Sequence, residues 1–380
     1  MKKGEVTIAI FADFSKAFDT VDYKILLTHL NNLGFSKHLL KLIGNYLSDR
    51  YQYVQVDDRP SEKLLVNFGV PQGSILGPVL FNLYVTSISA NGPSEYLLYA
   101  DDTTLLRYTK VKNLPETIES MQSELDSINQ WSANSNLALN AKKTKMAMFS
   151  TQQLSRAHNL PQYGTKFTSN DQPLERVETF KILGVKFNQH LSWKDQITSV
   201  TKSCFATLKS LNLLKGSASW SLRKSLAESL ILSKLKYGNV LLADIPKYEL
   251  KRLQKVQNAA AGFVLRRHAN VNDVLSLNWL PIVESIDSCL AKNIHKAVRD
   301  ESWPSYLPIR FSEQPTRVNR SNNVIVCNVD PGEANGSFKY LGAKCFNDLP
   351  PNVKNIEKKE TFNKKCSEYY FDKAVARNLI

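Results

Sequence analysis

The stretch VTIAIFADFSKAFDTVDY (residues 6–23) decides how this chain folds. Val6 to Phe14 is an apolar run of strand length that delivers one acid, Asp13, near its end. Such a strand packs in a core and leaves its terminal acid at one edge. Asp22 then stands where a helix cap stands, ahead of Ile25, Leu26, Leu30 and Leu33, and Gly34 stops the helix. Ser36 caps a second helix carrying Leu39, Leu40, Ile43 and Leu47. Farther out, Tyr51–Val56 alternates like a half-exposed strand, and Val70–Ser89 opens on a Pro-Gln-Gly turn and becomes helical after Ser74. Glu95 to Leu106 reads as strand, tight acidic turn, strand, with Asp101 and Asp102 in the turn. A long amphipathic helix follows Pro115, with Ile118, Met121, Leu125, Ile128 and Trp131 on one face. Lys145–Phe149 and Val177–Phe187 read as further strands.

Asp13 and the pair Asp101–Asp102 are thus acids brought to strand ends. An Asp-Asp dipeptide alone is an ordinary turn, because Asp bonds its own backbone. Acids clustered at one edge repel each other unless a cation joins them, and three carboxylates suit Mg²⁺. Two such ions about 4 Å apart can activate a 3′-hydroxyl and stabilise a leaving pyrophosphate in one in-line displacement.

The 380 residues carry a net charge of +14, and the charge is concentrated. Ser192–Arg267 holds fourteen Lys/Arg against four acids. The same stretch has helical stripes at Trp193, Ile197, Val200, Cys204, Leu208 and Leu211, at Leu222, Leu226 and Leu230, and at Leu253, Val256, Ala260 and Val264. It is either a solvated charged face or a wall that tracks a phosphate backbone. No apolar run reaches the roughly 18 to 20 residues of a membrane helix, and the N-terminus lacks a signal-peptide core. No membrane partner is expected. Five widely spaced cysteines exclude CxxC zinc spacing and predict reduced thiols in an intracellular protein.

FADFSKAFDTVDY (11–23), GVPQGSILGPVLFNLYV (69–85) and YADD (99–102) occur in order, each in suitable local structure. Together they resemble the successive motifs of a reverse transcriptase palm from the non-LTR, jockey-like retrotransposons. LNAKKTKMAMF (139–149) resembles the next palm motif, FKILGVKF (180–187) the Leu-Gly strand that supports the primer. RLQKVQNAAAGFVLRR (252–267) and GSFKYLGAKCFNDLPPNV (336–353) resemble the tail of the same reading frame. The resemblance implies an α+β fold, a right-hand polymerase palm with an antiparallel sheet and packed helices, followed by a mostly helical thumb and C-terminal region. The implied divisions are a palm over 1–190, a basic thumb-like region over 191–270 and a C-terminal region over 271–380.

The implied activity is RNA-directed DNA polymerisation, extending a DNA primer on an RNA template with deoxynucleoside triphosphates and two Mg²⁺ ions. Asp13 and Asp101 would bind both metals, with the Phe14 carbonyl as a backbone ligand and Asp102 completing the acidic set. Phe18, five residues after Asp13, would be the ring that collides with a ribose 2′-hydroxyl. Gln72 and Gly73 would line the nucleotide pocket. Lys143, with Lys142 and Lys145 as rivals, would protonate pyrophosphate. Tyr99 would lie beneath the primer end, the Leu183-Gly184 hairpin would hold the primer strand, and Lys251, Arg252 and Lys255 would face the duplex. Nuclear localisation follows from the family's target-primed mechanism.

The family's fingers region precedes the first Asp motif, whereas twelve residues precede Asp13 here, and Lys2 and Lys3 form no triphosphate-binding motif. The expectation is a truncated copy that binds primer–template and does not extend it unaided. The alternative is a catalytically inactive nucleic-acid-binding remnant.

Overall fold

A computed structural model describes residues 4–88, 92–163, 167–305, 307, 309 and 337–378. Lys2, Lys3, Ser89, Cys327 and Gly336 lie outside the described residues. The chain forms two compact units, residues 1–182 with 187–192, and residues 183–186 with 193–380.

The first unit is built on a five-stranded sheet. Its strands are β1 (Glu5–Ala12), β2 (Glu95–Tyr99), β3 (Asp102–Lys110), β4 (Lys145–Phe149) and β5 (Glu175–Arg176), in the spatial order β5-β4-β1-β3-β2. All neighbours are antiparallel except the short β5, which runs parallel to β4. β1 is the middle strand, buried on both faces, which is why its sequence is almost continuously apolar. Val6, Ile8 and Ile10 enter the main core, while Ala9 joins Ala147 and Phe149 on the opposite face. The helices α1 (Tyr23–Asn32), α2 (Lys37–Leu47), α3 (Leu76–Val85) and α4 (Leu114–Asn134) supply the main core. Asp22 caps α1, accepting from the amides of Lys24 and Ile25 at 2.8 and 3.1 Å. The expected face of α4 is the buried one: Ile118, Met121, Leu125 and Ile128 are at most 3% exposed.

Two strands differ from expectation. Tyr51–Val56 is not one strand: Arg50–Gln52 pairs with Leu64–Val66, and Gln55–Val56 pairs with Arg59–Pro60. Both small ladders stand in solvent, so their alternation marks no buried face. Val177–Phe187 is interrupted by the turn Leu183-Gly184, giving the two-stranded ladder Thr179–Ile182 and Val185–Asn188.

The second unit is helical. The helices Lys194–Asn212 and Lys247–Leu265 pack through Ile197, Cys204, Leu208, Leu253, Val256 and Val264. The Leu222/Leu226/Leu230 stripe is not the inward face: Leu222 and Leu230 are exposed, whereas Arg223, Ala227 and Ile231 are buried. A π-helical turn over Glu228–Leu232 shifts the register there. Arg223 belongs to no phosphate-facing surface, because it donates to the carbonyls of Val264 and Ala218 and caps the end of the 247–265 helix. The helix Ile282–Arg299 serves two adjacent cores, one through Ile282, Ile286 and Leu290, the other through Ala291 and Ile294 against Phe346, Phe362 and Tyr370. The division expected at residue 270 therefore falls inside one compact unit.

His295 on this helix is 3% exposed, stacked on Phe362 with ring centroids 3.7 Å apart, and its Nε2 donates to the Ile356 carbonyl at 2.7 Å. Burial holds its pKa below the ordinary value of 6.5, against the pull of the Ile356 carbonyl, and Arg299 lowers it further. Below about pH 6.5 the unfolded chain takes up a proton that the folded imidazole refuses, so stability falls as the solution is acidified. Urea denaturation at pH 7.5 and 5.5 should show this loss, and His295→Gln should flatten the dependence.

Candidate active site

The register of the sheet brings the three acids to one end. Ala12 lies opposite Thr103 and Tyr99 opposite Asp102, so Asp13, just past β1, adjoins the Ala100-Asp101 turn between β2 and β3. Ala100 takes a left-handed φ of 53° there. Asp13 is held through its backbone: its amide donates to Thr144 Oγ1 at 3.3 Å and its carbonyl accepts from the Asn140 amide at 2.8 Å. Its Oδ2 is buried without a hydrogen-bond partner, and the nearest cation, Lys143 Nζ, is 3.6 Å away. Burial raises the pKa of Asp102, and the neighbouring charges of Asp101 and Asp13 raise it further. The three carboxylates therefore share one field that favours added positive charge. Among the described residues no three acidic, His or Cys side chains converge as a ready-made metal shell. The donors are nonetheless all hard oxygens, and one of them is buried without a hydrogen bond, which is the donor chemistry of a divalent cation.

Lys143 is distinguished from its rivals by position. The turn Asn140–Thr144 aims it at Asp13, whereas Lys145 pairs with Glu175. Phe14 is 3% exposed and sets its ring edge-on to Trp131 at 5.9 Å, so its side chain is core. Phe18 stacks on Phe81 of α3 at 4.2 Å and is partly buried. Gln72 donates to Asp19 Oδ1 at 2.8 Å, joining the second motif to the first. Gly73 has a φ of 80° with open space where a Cβ would stand, so within the chain its need for glycine is conformational. Beside it opens a cavity of about 750 Å³ lined by Lys16, Asp19, Arg50, Tyr51, Phe68 and Gln72. Only Gln72 of these was expected. Asp19 and Lys16 lie within the first motif, and the 53-residue separation of Asp19 and Gln72 leaves no local pattern to join them. Tyr99 is 65% exposed at the end of β2.

The remaining predicted residues belong to the second unit. Leu183 and Gly184 form the hairpin tip, where Leu183's carbonyl accepts from the Tyr237 hydroxyl. Lys251 and Lys255 are exposed on the 247–265 helix, while Arg252 is committed to Glu249 at 2.7 Å and to Thr198 Oγ1 at 3.1 Å.

Residues 1–187 match the family model described as reverse transcriptase (RNA-dependent DNA polymerase). Residues 1–187 are thus similar to a reverse transcriptase domain. The chain is 26% identical over 268 residues to the RNA-directed DNA polymerase from mobile element jockey of Drosophila melanogaster, an alignment covering 68% of this chain and 28% of that protein. It is 27% identical over 263 residues to the probable RNA-directed DNA polymerase from transposon BS of the same fly, covering 66% and 28%. It is 26% identical over 216 residues to the Pol polyprotein from the type-1 retrotransposable element R2 of Popillia japonica, covering 53% and 34%. The chain thus spans about a third or less of the length of these relatives. Reverse transcriptases as a family use divalent metal ions, which agrees with the oxygen donors gathered at Asp13. No described helix is long and apolar enough to cross a membrane.

Proposed function

We propose that this chain is the palm and part of the thumb of a non-LTR retrotransposon polymerase that extends a DNA primer on an RNA template. The observation that supports it best is Asp13 Oδ2, buried with no hydrogen bond and only Lys143 near it, beside Asp101 and Asp102 within residues similar to a reverse transcriptase. Two Mg²⁺ ions would be held by Asp13, Asp101, Asp102 and the Phe14 carbonyl. When bound they supply the charge that activates the primer's 3′-hydroxyl and stabilises the leaving pyrophosphate. The protein's own residues do the rest. Lys143 Nζ holds a proton for the departing pyrophosphate. Phe18, backed by Phe81, blocks the space of a ribose 2′-hydroxyl, and Gln72 and Gly73 border the incoming deoxynucleotide. Tyr99, Leu183 and Gly184 support the primer. Lys251 and Lys255, with Arg252 bracing the helix between them, attract duplex phosphates. The compartment of such a reaction is the nucleus.

The test is made with residues 1–380 and an RNA template annealed to a DNA primer, measuring affinity and Mg²⁺-dependent addition separately. Template-directed addition of deoxynucleotides that EDTA stops supports the polymerase reading and overturns the expectation that this chain does not extend a primer unaided. Binding without any addition identifies a nucleic-acid-binding remnant. A finer prediction concerns Phe18→Val, which should raise ribonucleotide use relative to deoxynucleotide use by about tenfold or more in the same assay, since relieving one clash is worth about 1–3 kcal/mol. An unchanged ratio would make Phe18 a core residue only.

A further inference from the structure

The hairpin tip at Leu183-Gly184 is held in an unfavourable shape by one side chain. Both residues have positive φ, 45° and 83°, as a two-residue hairpin loop demands. Glycine accepts this without cost, but leucine does not, because its Cβ crowds the backbone in the left-handed region. Leu183 is retained there with its side chain 43% exposed, so core packing does not account for the strain.

What holds it is Tyr237. The hydroxyl of Tyr237 donates to the Leu183 carbonyl, and its ring closes on Gly184 so nearly that a Cβ there would stand 3.4 Å from Cε1. The following residue is shaped for this approach. Gly238 has a φ of 64°, turning the chain after the helix end at Lys236, and a Cβ at 238 would sit 3.3 Å from Val185. On the same tip the Lys186 amide donates to the buried Gln196 Oε1 at 2.9 Å. These contacts make residues 183–186 part of the helical unit. Yet Tyr237 leaves 58% of its surface in solvent. Its polar end is satisfied by the turn, while its ring remains open beside the exposed Leu183.

We infer that Tyr237 is a positioning residue for the primer strand: it locks the Leu183-Gly184 turn and presents its ring as the surface against which the primer's terminal nucleotide rests. This rests on the reading of that turn as primer-holding. An aromatic face accepts any base or sugar, as a primer end of variable sequence requires. The hydroxyl bond keeps that face fixed to the turn.

Two measurements on the full chain test the two halves of the inference. Hydrogen exchange in the free protein reads the lock. Tyr237→Phe should speed exchange of the 183–186 amides by about fivefold, the weight of one neutral hydrogen bond, and unchanged exchange would overturn the lock. A primer carrying 2-aminopurine at its 3′ end, annealed to RNA, reads the surface. Its fluorescence should change on binding the parent protein and on binding Tyr237→Phe, which keeps the ring. Tyr237→Ala should lose most of that change and weaken primer–template binding by about fivefold or more, the weight of one base stack. A full fluorescence change with Tyr237→Ala would overturn the primer contact alone. A parent protein that does not bind primer–template at all would overturn the proposed function and the primer contact with it.

Discussion

Asp101→Asn should lower Mn²⁺ affinity by about tenfold or more and primer extension by about a thousandfold, with primer–template affinity within about threefold of the parent. Asp101 lies in the β2–β3 turn, so replacing its carboxylate with an amide of the same shape leaves the ladder intact. The change removes charge from a field that already raises the Asp102 pKa, so Asp102 should ionise more readily in the variant. Mn²⁺ binding followed by electron paramagnetic resonance checks the metal claim independently of turnover. Parent-like Mn²⁺ affinity in Asp101→Asn would remove Asp101 from the ligand set.

Gly69→Ala should destabilise the first unit by about 3–5 kcal/mol. Gly69 has a φ of 87°, which an alanine side chain resists. A Cβ there would also lie 2.8–2.9 Å from the backbone atoms of Asp19, a contact no side-chain rotation can relieve. The Gly69 amide donates to the Val21 carbonyl at 2.8 Å and Val70 bonds Phe18 likewise, so the second motif is laced to the first at this point. Urea denaturation read by circular dichroism measures the loss. Because Asp19 holds Gln72, the variant should also bind deoxynucleotide more weakly than its stability alone explains.

The strand and helix pattern of the first unit was legible because each element carries one period and one punctuating residue. β1 is apolar throughout because it is the middle strand, and α1 begins where Asp22 can cap it. The Leu222/Leu226/Leu230 stripe misled because Arg223, Ala227 and Ile231 share its four-residue spacing one position on, and Arg223 reads as a surface charge until the carbonyls it caps are in place. No Asn-Gly or Asp-Gly announces the turn at Leu183, so the strand pattern runs through it and only the resemblance names a hairpin there. At the site, the acids were legible from their strand ends. Choosing among Lys142, Lys143 and Lys145 needed the Asn140–Thr144 turn, and the Gln72–Asp19 bond spans a separation no local pattern encodes.

The central place of β1 also governs when the site comes into being. Phe11 pairs with Thr104 on one side and Lys145 on the other, and Asp13's amide waits for Thr144. β1 is therefore made long before its sheet can be completed. At about 5–20 residues per second, roughly 7 to 27 s separate the synthesis of Phe11 from that of its second partner. Until β3 is made, Val6–Phe11, apolar and β-prone, is without either neighbour, and it is an aggregation-prone segment of the nascent chain.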